Sequence, residues 1–310
     1  MHKKNINFND LLVRTPLIPF QTWDMALESK IYLKPENLQL LGSYKIRGIA
    51  QVIKAAEPMR LQHGLSAASA GNMAQAVAYA ARELGIPCQI FVPDTAPIVK
   101  KIMIQKLGAE LIALPFEQVW AYVRGDQTVS NQSLFIHPAF NEDLLKGYET
   151  IANEIMTDLP DADAIIIPFG VGGLSIGIGR AIHRMNQTIA IYTCEPETAA
   201  PMKASLKLGR AVKIQRTSSF VDAIGTNEVL PPVFERLAPL LRDSLVLSLS
   251  EIKYALSLLL MRHKLVCEGA AASSLAAALS LARENKHRKI VCVLSGGNIA
   301  MDILRERLQE

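Results

Sequence analysis

No apolar run in this 310-residue chain approaches the length of a membrane span. The longest, such as YALSLLLM, fall far short of the roughly 20 residues a spanning helix requires. The short basic start MHKK is followed by no apolar core segment, so it does not have the form of a secretory signal. Blocks of like charge are missing too. The 33 Lys and Arg residues against 29 Asp and Glu leave a net +4. They are scattered, and the basic stripe that a nucleic-acid partner demands is not formed. Cysteine is scarce: Cys88, Cys194, Cys267 and Cys292 are far apart, with no CxxC spacing and no paired histidine. That excludes a zinc ribbon or a disulfide framework and reads as buried thiols in a reducing cytoplasm. No internal repeat, low-complexity tract or long linker divides the chain, so any second domain is expected to be inserted in the first rather than to follow it.

What is present is an ordinary globular balance, half apolar and one fifth charged. Short β-branched or apolar runs read as buried strands at 31–33, 65–69, 89–92, 110–114, 133–137, 164–168, 189–194, 244–249 and 289–294. Between them lie stretches with helical periodicity. MAQAVAYAARELG puts Ala74, Val77, Ala78, Ala81 and Leu84 on one face and stops at Gly85. YETIANEIM and EIKYALSLLLMRH repeat the pattern, the latter with Ser248 or Ser250 available as cap. Strand alternating with helix predicts an α/β fold with largely parallel sheets flanked by helices. The stretch 203–234 is rich in turn residues and reads as a long excursion.

In such a sheet, ligands sit beyond the carboxyl ends of the strands. Three glycine turns fall there: AASAGNMAQ after 65–69, IIIPFGVGGLSIG after 164–168, and VCVLSGGNIA after 289–294. In the middle one, Gly170, Gly172 and Gly173 let several N–H groups converge at the start of a helix near Leu174, a site fit for a phosphate. Two other readings compete. One is a tight strand–helix turn with no ligand. The other is a dinucleotide fingerprint, with Ser175 at the third glycine position and Glu195 as the ribose acid, which would make the protein a NAD-dependent oxidoreductase. Neither accounts for GSYKIRG, residues 42–48, where Lys45 stands between a glycine turn and an arginine. A lysine is ordinarily a solvated surface group. A lysine amine together with a phosphate cradle and two polar loops is, however, the equipment that pyridoxal 5′-phosphate needs.

With these motifs in this order, from RTPLIPF to LSGGNIA, the chain resembles the fold-type II pyridoxal-phosphate enzymes. Within them it resembles the threonine/serine dehydratases and serine racemases. The resemblance implies a large domain (1–64 and 139–310) with a smaller one (65–138) inserted. It implies Lys45 as the Schiff-base lysine within Ser43, Tyr44, Lys45, Arg47 and Gly48. Ser69, Ala70, Gly71, Asn72 and Met73 would bind the substrate carboxylate, with Asn72 also against the cofactor ring. Gly170, Val171, Gly172, Gly173 and Leu174 would hold the phosphate, and Ser295 of SGGN the pyridine nitrogen. The implied activity is deamination of a β-hydroxy amino acid, L-threonine or L-serine, to a 2-oxo acid and ammonia. Replacement or racemase chemistry on the same scaffold is the alternative. A homodimer is implied, with no C-terminal regulatory domain.

Several positions depart from the family pattern. Ala70 stands where a racemase has a proton-carrying serine, so elimination is favoured over racemisation. Pro201 stands where the family's divalent-metal site has its aspartate, so no metal is expected, and Glu195 reads as a capping acid. Met73 replaces a histidine and Ala223 a glycine, which bears on the choice of substrate. Val171 replaces a glycine and is expected to keep a negative φ. Tyr148 and Glu149 replace Gln and Gly. His137, at a strand end, reads as a packed loop histidine.

Overall fold

The structure is a computed structural model describing residues 8–129, 132–186 and 188–308. Its contacts divide the chain into two units: Arg14–Tyr44 with Tyr148–Glu310, and Met1–Val13 with Lys45–Gly147. Elements are numbered along the chain.

The first unit holds a six-stranded sheet in the order β1-β2-β10-β7-β8-β9. The strands are β1 (Ile18–Pro19), β2 (Lys30–Pro35), β7 (Ala164–Pro168), β8 (Ala190–Pro196), β9 (Asp243–Leu247) and β10 (Lys289–Leu294). All pairings are parallel except β1 with β2. Parallel strands are covered on both faces and so read as continuous apolar runs. AIIIP of β7 is buried at every position, and β10 at all but its first. The helices are α7 (Gly173–Met185), α8 (Pro201–Leu208), α9 (Pro231–Leu237), α10 (Leu249–His263), α11 (Gly269–Arg283) and α12 (Met301–Leu308). α11 is buried over most of its length because its sequence, GAAASSLAAALSLAR, is small on every face. Its buried Ser273 and Ser274 remain satisfied by donating back to Ala270 O and Ala271 O. α10 starts on the expected cap, Ser248, which forms a full capping box with Glu251.

The second unit holds a four-stranded, wholly parallel sheet in the order β5-β4-β3-β6. Its strands are β3 (Leu65–Ala68), β4 (Cys88–Pro93), β5 (Glu110–Leu114) and β6 (Leu134–Phe135). Its helices are α1 (Lys45–Ala55), α2 (Pro58–Gln62), α3 (Asn72–Leu84), α4 (Ile98–Lys106), α5 (Phe116–Arg124) and the first residues of α6 (Glu142–Asp158). Gly85 ends α3 with φ +65°, as its position after the periodic stretch predicts. The segment 65–138 lies inside this unit, whose limits reach further, to Lys45 and Gly147. One reason is a close backbone crossing: a Cβ on Gly147 would lie 2.4 Å from Arg47 O and 2.6 Å from Gly48 Cα.

The expected strands all appear, with ends shifted by up to a few residues. β1, a two-residue strand at the edge of the sheet, was not foreseen. The excursion 203–234 starts within α8 and ends within α9, with an irregular stretch between them. All four cysteines are buried free thiols, and burial pushes Cys88 and Cys194 up to about 12. Among the described residues, no helix is long and apolar enough to cross a membrane.

Candidate active site

Each of the three glycine turns leaves the carboxyl end of a strand. After β7, Gly170 and Val171 lead into Gly172, whose φ is +104°. A Cβ there would come 2.5 Å from Val233 Cγ1 on α9. Both facts demand glycine. α7 starts at the next residue, one earlier than expected. Ile176 is the first amide of α7 to close a helical bond, onto Gly172 O at 2.9 Å. The amides before it point out of the helix end, where the dipole adds positive potential. Val171 is not among the residues with positive φ, as expected. The loop is backed by 222–226: Thr226 Oγ1 donates to Gly170 O at 3.4 Å and to Glu228 O at 3.1 Å. Ile224 Cγ2 lies 3.5 Å from where a Gly170 Cβ would be.

After β10, Ser295–Asn298 meets the segment that ends at Tyr44. Ser43 and Gly296 form an antiparallel bridge. Tyr44 N donates to Ser295 O at 3.2 Å, and Gly297 N to Gly42 O at 2.9 Å. Asn298 Nδ2 donates to Leu41 O at 2.8 Å. Leu41 has φ +64°, a conformation that costs a non-glycine residue about 1–2 kcal/mol, and this clamp holds it. Gly297 has no room for a side chain, because a Cβ would lie 2.5 Å from Val266 O. Ser295 is 4% exposed. Two motifs about 250 residues apart in sequence are thus stitched backbone to backbone. The next residue in the chain after Tyr44 is Lys45, half-buried and the first residue of α1.

The third turn, after β3, belongs to the unit that includes Lys45. Gly71 N donates to Ser69 Oγ at 3.1 Å, and Gln75 N is the first amide to close onto Gly71 O, at 3.2 Å. The amides of Met73 and Ala74 therefore head α3 ahead of its first intrahelical bond, a ready receptor for a carboxylate. Ser69, Ala70, Gly71 and Asn72 are half-buried, and Met73 is 4% exposed.

The family described as pyridoxal-phosphate dependent enzyme matches residues 9–296. The chain belongs to that family. An L-threonine ammonia-lyase of Thermotoga maritima is 36% identical over 293 residues, covering 94% of this chain and 73% of that protein. Among solved structures, the processed form of threonine deaminase isoform 2 from Solanum lycopersicum superposes with a TM-score of 0.86 at 26% identity, covering 97% of this chain and 89% of that one. Serine racemase from Dictyostelium discoideum gives a TM-score of 0.84 at 28% identity, covering 95% and 96%.

The residues present fit the family's cofactor. A positive-φ glycine loop opening a 13-residue helix suits its phosphate. The dinucleotide reading is overturned by the family and by Glu195 itself. That carboxylate is fully buried and already accepts from Met202 N (2.8 Å), Lys203 N (2.8 Å) and Ser244 Oγ (2.7 Å). It caps the start of α8, at which Pro201 is the first residue. Burial pushes it up to about 7, outweighing the donors that act the other way. His137 is a packed loop histidine: its Nδ1 accepts from Ala139 N and Phe140 N, its Nε2 faces Val123 O at 2.7 Å, and its ring stacks on Phe140. Burial lowers its pKa.

Sequence reasoning missed several supports. Lys34 Nζ, wholly buried in β2, donates to Glu154 at 2.5 Å and to Thr15 O at 2.7 Å. A lysine among the apolar residues of a strand was the signal. Glu149 binds Arg180 and, at 2.6 Å, Arg184 on α7; no local pattern announces that. Tyr148, fully buried, packs edge-on against Tyr44, with ring centroids 4.8 Å apart.

Proposed function

We propose that the protein is a pyridoxal-phosphate dependent ammonia-lyase that converts a β-hydroxy amino acid, L-threonine or L-serine, to a 2-oxo acid and ammonia. The observation that carries this is the backbone clamp of 41–44 onto 295–298, which holds the residues that lead into Lys45 in register with the SGGN turn. The relatives named L-threonine ammonia-lyase and threonine deaminase support it. When bound, the cofactor supplies an aldehyde for an amine and an electron sink that acidifies the α-proton of an amino acid.

This chain's residues divide the remaining work. The Lys45 amine anchors the cofactor and, once free, is the base that takes the substrate α-proton. The amides of Gly170, Val171, Gly172, Gly173 and Leu174 bind the phosphate dianion. Asn72 and the Ser295 hydroxyl hold the ring. A neutral hydroxyl cannot keep a ring nitrogen protonated as a carboxylate does, which suits elimination. The amides heading α3, with Ser69, Ala70, Gly71 and Met73 around them, receive the substrate carboxylate. Water lost with the β-hydroxyl returns in hydrolysis, so the sum is amino acid to 2-oxo acid and ammonia. The serine racemase likeness raises a second reading. Ala70 weighs against it, having no proton to transfer. A homodimer in the cytoplasm belongs to this proposal, and the buried free thiols suit that compartment.

The test is a panel of β-hydroxy amino acids with 2-oxo acid release as readout, together with borohydride reduction and peptide mapping. Label on Lys45 and release from threonine or serine are expected, both lost in Lys45→Ala. Wild-type release by Lys45→Ala, or no release from any amino acid, would overturn the proposal.

A further inference from the structure

Ser175 Oγ in the first turn of α7 and Thr193 Oγ1 in β8 have no hydrogen-bond partner, although neither reaches solvent. Both residues are 0% exposed, and the function proposed above uses neither. Backbone geometry sets them opposite each other. A Cβ on Gly179 would lie 3.9 Å from Ile191 Cδ1, so this face of α7 covers the start of β8. Ser175 is four residues earlier on the same face, about 6 Å towards the helix N-terminus. Thr193 is two residues beyond Ile191 on the same sheet face, about 6.6 Å along the strand. α7 connects the parallel neighbours β7 and β8, so it runs back against the strand direction. One turn back along the helix and one pleat forward along the strand therefore arrive at the same place.

Buried polar groups in proteins are met by partners, and where the chain supplies none, internal water does so with about three hydrogen bonds. We propose that Ser175 Oγ and Thr193 Oγ1 are ligands of one sealed internal water between α7 and β8. The ligand class follows from the donors: two neutral hydroxyls, each able to give and accept, suit a small neutral molecule with the same capacity. Ser244, level with Thr193 on β9, already donates to Glu195, so the water extends a polar file across the middle of β8 and the start of β9. It ties the first turn of α7 to the sheet behind the glycine loop, which keeps the amides of that turn aimed.

The experiment is a high-resolution crystal structure of the wild type, with melting of Thr193→Val, Ser175→Ala and the double variant. Density is expected within hydrogen-bond distance of both hydroxyls. Each single variant should melt lower by roughly 2 °C or more. The double variant should lose no more than the larger single loss, because both hydroxyls serve one molecule. Higher melting in the single variants, as removal of an unmet hydroxyl produces, would overturn the inference. So would a direct Ser175–Thr193 bond without density between. None of these readouts depends on catalysis, so the inference stands or falls apart from the lyase reading.

Discussion

Gly147→Ala is a small change with a large expected consequence. The added Cβ would stand 2.4 Å from Arg47 O, 2.6 Å from Gly48 Cα and 2.8 Å from Arg47 C. All three are backbone atoms, so no rotamer change relieves them. Real Cβ contacts essentially never fall below 3.0 Å. One helix must therefore move by at least about 0.6 Å, an overpacking of the kind that costs about 1–3 kcal/mol. The displaced helix is α1, whose first residue is Lys45. Misplacing a reacting group by about 1 Å can cost roughly 100-fold in rate, so we expect kcat to fall by roughly 10- to 100-fold alongside the stability loss. Gly179→Ala is the control. Its Cβ would meet the flexible end of Leu240 at 3.4 Å, and alanine is the better helix former. Thermal melting and 2-oxo acid release report the two effects. A Gly147→Ala protein with wild-type melting and kcat, or one indistinguishable from Gly179→Ala, would refute the argument that this crossing sets the lysine.

Two further expectations concern buried charge. Glu154→Gln leaves the Lys34 ammonium, 0% exposed, without its carboxylate; removal of one partner from such a pair costs about 3–5 kcal/mol, which urea denaturation will read as a lower midpoint. Glu195 has its folded pKa raised to about 7, above the unfolded value, so its contribution to stability is complete below about pH 4.5 and is lost as pH rises through 7. Glu195→Gln should flatten that part of the stability profile between pH 5 and 8. An unchanged slope in the variant would show that other groups cause it.

Much of the fold was legible because it is encoded in short windows. AIIIP and KIVCVL announce buried parallel strands by composition alone. MAQAVAYAARELG announces both a helix and its end, since glycine takes without strain the left-handed conformation that often closes a helix. The start of α1 at Lys45 was not legible, because GSYKIRG looks like a turn until the clamp shows where the turn stops. The same holds for Glu195. As a residue at a strand end it read as a capping acid but could also serve as a ribose acid, and the position of the α8 amides chose.

From residues alone came the alternation of strand and helix, the three glycine turns at strand ends, and the lysine among them, since φ requirements and side-chain periodicity are local properties. What only the tertiary structure decided is which turns meet. Leu41 and Asn298, Lys34 and Glu154, and Gly147 and Gly48 pair across more than 90 residues of chain. Hydrogen bonds and van der Waals contacts act over a few ångströms of space, whatever separates their partners along the sequence.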